Sequence, residues 1–259
     1  MRVLWAIARN TFKEAVRNKI LYSLIFFALV MMGLSLVLDQ VTIGQRSKII
    51  KDFGLASINI FGVLIAIVVG ISLVYKEIDK RTIYPILAKP VRRSQFLIGK
   101  YFGIVLTLAV EVMVMSFFLF FLLGIYAAGS GPVFDVGLFE AIAFIFMELA
   151  VVAAAAILFS SFSTPFLSGM FTLAIYIIGH LTADLKRLGA LSGNLLLERL
   201  TALMYYLLPD LENFNIKGEV VYGLPLESGK IFLGSLYALV YISLLLFLSS
   251  VIFQTRDFK

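Results

Sequence analysis

Hydrophobic positions come in long runs, with the charged residues crowded between them. Residues 20–38, 53–75 and 231–255 carry no charge at all. Residues 101–134 are interrupted only by Glu111 and end in the turn-like AAGSGP of residues 127–132. Residues 137–159 hold Glu140 and Glu148, and residues 165–183 are uncharged unless His180 is protonated. A bilayer-spanning helix needs about 20 mostly apolar residues. Lipid forces backbone polar groups to pair within the segment, so runs of this length fit helices and not a barrel. The pattern predicts an all-α integral membrane protein of one transmembrane domain, residues 1–259, with six spans. They fall at about 20–38, 53–75, 101–123, 137–159, 165–183 and 231–253.

The polar stretches have characters of their own. Residues 1–19 are amphipathic at helical period: Arg2, Arg9 and Lys13 share one arc with Arg17 beside them, opposite Leu4, Trp5, Ala8, Phe12, Ala15 and Val16. This predicts a helix lying on membrane lipid, anchored by Trp5, with a face also open to a partner on the same side. In residues 76–100 a helical pattern continues to about Ile83, then Pro85 and Pro90 break it. Helix resumes after that, with Ser94 as a candidate N-cap. The stretch reads either as a plain basic loop or as a shaped knob for a soluble partner. Residues 184–230 read as an extracytoplasmic segment, within which residues 188–210 are apolar enough to lie on the outer surface or dip into it; Glu198 and Arg199 argue against a full span, and Tyr205 and Tyr206 suit an interface. Residues 211–229 read as a polar outer loop.

Composition adds exclusions. Of 259 residues, 61% are hydrophobic and 15% charged, and the mean hydropathy is +1.00. Disorder, collagen and a disulfide scaffold are ruled out, and a soluble enzyme is disfavoured. With no cysteine there is no thiolate metal site and no thiol nucleophile. The net charge of +6 is a matter of placement. Most of the 22 lysines and arginines sit in residues 1–19, residues 76–100 and the C-terminal tail. By the positive-inside rule both termini are cytoplasmic. The basic excess is then a topology signal, and no nucleic-acid partner is expected. No cleavable leader is expected either, because the charged stretch before the first span is too long.

The catalytic inventory is sparse. There is no G-x-x-x-x-G-K-[ST], since Ser94 stands where Gly99–Lys100 would need a glycine. One histidine allows neither H-E-x-x-H nor a multi-histidine metal site. His180 is expected at the outer end of its helix, as an interfacial residue. Glu111 and Glu148 fall at mid-membrane depth, where an ionisable group is costly and is a candidate for the translocation path. Either can instead be a hydrogen-bonded strut between helices. As a pair they keep a proton-coupled carrier open as an alternative, and a non-transporting scaffold for envelope assembly is a further one.

Residues 77–100 resemble the permease subunits of type 2 ABC transporters, which read approximately E-x-x-x-G-T-L-x-x-L-L-x-x-P-V-x-R-x-x-x-x-x-G-K after the second span. Glu77, Thr82, Leu87, Pro90, Val91, Arg93, Gly99 and Lys100 match; Arg81 replaces the usual glycine and Ile83 a leucine. Residues 160–179 and 207–216 are similar to the short inner turn with the fifth helix and to the outer loop before the last. The resemblance implies a membrane subunit without nucleotide or other cofactor of its own, in a bacterial inner membrane. It implies pairing with a second copy or a homologous permease, and docking of a separate ATP-binding subunit that holds ATP and magnesium. The coupling contacts would be Glu77, Arg81, Thr82, Leu87, Pro90 and Arg93, with the interface-helix residues Arg2, Arg9, Phe12 and Lys13 next. The implied activity is ATP-driven export.

Overall fold

Apolar segments of this length close their hydrogen bonds internally, and the computed structural model is all-α. It describes residues 2–39, 46–79, 93–126, 135–225 and 229–255, and among these there is no strand. In chain order the helices are α1 (Arg2–Val16), α2 (Lys19–Asp39), α3 (Arg46–Asp79), α4 (Arg93–Tyr126), α5 (Val136–Ser160), α6 (Pro165–Leu191) and α7 (Leu195–Leu207). A 3-10 turn (Leu211–Phe214), α8 (Lys217–Tyr222) and α9 (Lys230–Thr255) follow. Among the described residues six helices are long and apolar enough to cross a membrane: α2 to α6 and α9.

Three boundaries differ from the sequence reading, each because helix outlasts the uncharged run. The second spanning helix starts at Arg46, the third starts at Arg93 with Ser94 inside it instead of capping it, and the fifth continues to Leu191. Charged residues at a helix end do not stop it; they only move it out of the lipid.

The core is built around α3 and α5. α5 buries Leu149 and the run from Ala153 to Ala156 completely. α3 approaches it closely because it has no side chain at two contact points. A Cβ on Gly62 would stand 2.6 Å from Leu149 Cδ1, and one on Gly70 would stand 2.8 Å from Ala156 Cβ. Such small-residue contacts replace the hydrophobic drive that lipid removes. The outer faces of the bundle carry exposed apolar side chains such as Phe117, Phe166 and Phe232, as a lipid-facing surface should.

α1 is bound to protein as well as amphipathic. It lies along α4, where Gly99 and Gly103, one helical turn apart, admit it: a Cβ on Gly99 would stand 2.8 Å from Ile7 Cβ, and one on Gly103 would stand 2.7 Å from the Ala8 carbonyl oxygen. The residues α1 buries there are Ala8, Thr11 and Ala15. The apolar arc is thus divided. Its small members face α4, Leu4, Phe12 and Val16 are half-buried, and Trp5 remains 65% exposed. Asn18 makes the corner into α2, its side-chain oxygen accepting from the Ile20 N–H at 3.1 Å.

At the other end of the bundle the region left open by the sequence takes a definite form. α7 folds back along α6, with Thr201 seated on Gly189 and Lys186 lying 4.1 Å over the Tyr205 ring. Its 13 residues reach only about 20 Å, too short to span. The following segment is not a polar loop. Leu211, Phe214, Ile216, Val220 and Val221 are buried, and they plug the bundle end. Tyr241 donates to the Leu207 carbonyl at 2.6 Å, and the Asp210 N–H donates to the Tyr237 hydroxyl at 2.8 Å, pinning the plug to α9.

Gly103→Leu should lift α1 from α4. Overpacking of this kind costs about 1–3 kcal/mol, so tryptic cleavage at Arg9 or Lys13 should quicken about 5- to 150-fold. Gly124→Leu, with nothing within 4 Å of the added Cβ, is the control and should leave the cleavage rate unchanged.

Candidate functional site

Two regions collect the polar side chains that an apolar bundle otherwise avoids. The first is at mid-depth between α3, α5 and α6. Glu148 stands at the midpoint of α5 and is 0% exposed. Its Oε2 accepts from Asn59 Nδ2 of α3 at 2.8 Å. The Tyr176 hydroxyl of α6 donates to Asn59 Oδ1 at 2.7 Å, which fixes the orientation of the Asn59 amide. His180, one turn further along α6, places Nε2 3.4 Å from Glu148 Oε1 and Nδ1 3.0 Å from the Tyr176 carbonyl oxygen. Among the described residues Glu148 Oε1 has no hydrogen-bond donor in good geometry.

His180 therefore corrects an expectation. It is not at a helix end, because α6 runs 11 residues beyond it to Leu191, and its ring faces Glu148. The sequence hid this contact, since nothing in its spacing joins residue 180 to residues 59 or 148. A buried carboxylate and a single histidine in one apolar bundle were the only signal available.

Glu111 is placed differently. It lies near the middle of α4 and is 2% exposed, and neither carboxylate oxygen has a hydrogen-bond partner among the described residues. No hydrogen bond or ion pair joins it to Glu148 among those residues. The two acids do not form one site, although each is buried at depth.

The second region is at the end of the bundle away from the plug, where α1, α4 and α9 meet. Arg93 Nη1 donates to the Phe253 and Gln254 carbonyl oxygens, both at 3.1 Å. These carbonyls belong to the last turn of α9, where a cation is favoured. Phe96 stacks on Phe253 with centroids 6.2 Å apart. Lys100 is 1% exposed, with Nζ 3.9 Å from Glu14 Oε2 of α1 and 5.7 Å from the Phe96 ring centroid. The start of α4 is thus tied to both its neighbours. Arg2, Arg9 and Lys13 are exposed on α1, and Asn10, Lys13, Glu14 and Arg17 line a polar groove. Arg81, Thr82, Leu87, Pro90 and the side chain of Glu77 lie outside the described residues.

The sequence missed the roles of Arg93 and Lys100 as ties between helices. Both fall in a basic stretch that reads equally well as solvated charge, and their partners come from the two ends of the chain.

Comparison with known proteins bears on both regions. No curated protein matches the chain. The family described as ABC-2 family transporter protein matches residues 5–258. That match runs from the first turn of α1 past the end of α9, so it takes in the polar cluster and the α1–α4–α9 junction together. With six helices of membrane-spanning length in one continuous match, this chain belongs to the ABC-2 transporter family and is a type 2 ABC transporter permease.

Proposed function

We propose that this permease is the membrane subunit of an ATP-driven exporter in a bacterial inner membrane, moved by a separate ATP-binding subunit. The observation that carries the reading is the α1–α4–α9 junction. Arg93 begins α4 directly after the stretch that holds Pro85 and Pro90, and it is bonded to the end of α9. Six and seven residues later, Gly99 and Lys100 bind α4 to α1. A push on that stretch is delivered to three helices at once.

Glu77 near the end of α3, with Arg81, Thr82, Leu87 and Pro90 after it in sequence, makes the contact with the ATP-binding subunit, and Arg93 passes its movement on. Arg2, Arg9 and Lys13 on the open face of α1 extend the docking surface, with Phe12 at its edge. The positive-inside pattern puts this end, with both termini, in the cytoplasm, where ATP is available. ATP and magnesium are bound by the partner. A second copy or a homologous permease covers part of the apolar surface to complete the path, and Glu111 and Glu148 border it.

Two measurements test this. In the assembled complex, Leu87→Asp and Arg93→Ala should each lower transport about tenfold or more while membrane insertion is unchanged. Loss of a hydrogen bond to a charged donor costs about 1.5–3 kcal/mol, which sets that scale for Arg93. Normal transport and normal docking in both variants would sink the proposal. Second, the isolated chain in liposomes with a pH gradient and no ATP should move no cargo. Gradient-driven transport there would favour a proton-coupled carrier instead.

A further inference from the structure

We propose that Glu148 and His180 together form a binding site for one proton, and that this proton is the clasp holding α6 against α5 and α3. The argument starts from what each ring nitrogen can do. Nδ1 of His180 lies 3.0 Å from the Tyr176 carbonyl oxygen, an atom that only accepts. Nδ1 must therefore carry hydrogen and donate. In a neutral imidazole that leaves Nε2 as the bare acceptor, and Nε2 is the atom that faces Glu148 Oε1 at 3.4 Å. The other carboxylate oxygen is occupied by Asn59, and Asn59 is held in that orientation by Tyr176.

Two acceptors, a ring nitrogen lone pair and a carboxylate oxygen, then stand face to face. They attract only if one proton lies between them. It makes no difference to the count whether it resides on nitrogen, as imidazolium and carboxylate, or on oxygen, as imidazole and carboxylic acid. The pair holds one proton and has no net charge in either form, and the proton belongs to the pair and not to one residue. The separation is a few tenths of an ångström longer than a well-formed bond, so the contact tightens by a small tilt of the ring. Glu148 is fully buried, whereas the His180 side chain is 20% exposed, so the ring is the more accessible member of the pair.

Losing that proton leaves a carboxylate in an apolar core with Asn59 as its sole donor among the described residues, and a lone pair pointing at it. The cheapest relief is for α6 to move off and admit water. α6 is suited to this, for most of its side chains outside the cluster are exposed, and Ser168, Thr172, Gly179, Thr182 and Gly189 make up its buried face. The charged groups that bear on Glu148 from its neighbours are His180 of α6, Lys217 of α8 and Glu212 of the 3-10 turn. α3 contributes the neutral Asn59. α4 buries Lys100, Tyr101 and Glu111, with the Tyr101 hydroxyl donating to the Ala150 carbonyl of α5, and α9 carries the half-buried Tyr237 and Tyr241. α7 meets α6 beyond the cluster, at Gly189 and Lys186.

The test uses the full chain without an ATP-binding subunit, so its outcome is independent of the proposed motor. The chain has no cysteine, and Thr172 is fully buried on α6. Thr172→Cys then reports separation of α6 through its rate of alkylation by a membrane-permeant maleimide. The comparison is with the same cysteine in a Glu148→Gln background. The amide keeps an oxygen for Asn59 and offers an N–H to His180 Nε2 that does not titrate. Thiol ionisation affects both backgrounds alike and cancels in the ratio of rates. Between about pH 5 and about pH 9 the ratio of native to Glu148→Gln rates should rise with pH, by at most about tenfold per pH unit for one proton. Glu212→Gln and Lys217→Gln should move the midpoint of that rise in opposite senses.

Thermal melting of chains with the native Thr172 gives a second reading. The proton is bound in the folded site, so stability is lost as pH rises, and the native chain should lose more than Glu148→Gln does. A rate ratio that stays flat across the range, or a midpoint that neither charge variant moves, would overturn the assignment.

Discussion

The constraint on which this structure depends is that a polar group removed from water must find its partner within the protein. In the hydrocarbon region the backbone meets it by becoming helix, and every span here does so. Side chains meet it unevenly. Most serines and threonines along the spans donate to a carbonyl of their own helix, as Ser35, Thr107, Ser160 and Thr172 do. Such bonds are closed and carry no information between helices. The few polar groups that reach across to another helix are therefore the ones that position helices relative to each other.

Those cross-helix groups divide the bundle into two differently built parts. At the end with the termini, α1, α4 and α9 are joined by close backbone approach at Gly99 and Gly103, by Arg93 on the last carbonyls of α9, and by Lys100 near Glu14. At mid-depth, α6 is joined through Asn59, Tyr176, Glu148 and His180. Close backbone approach and helix-end contacts secure the first part, and a buried polar cluster secures the second.

How much of this was readable depends on how local the signal is. The six spans were legible because hydrophobic runs of bilayer length are a one-dimensional property, and the basic loop and the family resemblance were equally local. The extension of α3 back to Arg46 and of α6 on to Leu191 was not, since a run without charge marks the lipid and not the helix. The plug of residues 208–224 was hidden because Leu211, Phe214, Ile216, Val220 and Val221 are scattered among polar residues, and only the open end of a bundle makes them a core. The close fit of α1 on α4 was latent in glycines 99 and 103, one turn apart, which matter only once another helix is known to cross there. The Glu148 cluster was the least legible, because it joins residues 59, 148, 176 and 180 from three helices.

The plug and the cluster sit on the same helices, and this orders the events of any opening. Gly179, one residue before His180, is where the plug rests: a Cβ there would stand 2.8 Å from both Leu211 Cγ and the Pro209 carbonyl oxygen. α6 cannot turn or lift at residue 180 without disturbing that seat. The plug in turn is held to α9 by Tyr237 and Tyr241, and α9 carries the two carbonyls gripped by Arg93 at its other end. A continuous set of contacts thus runs from the start of α4, along α9, across the plug, to the helix that bears His180. Movement imposed on α9 at one end of the bundle reaches the α6 clasp through groups already in contact. The last link in that chain is the contact between Glu148 and His180, where we place the shared proton.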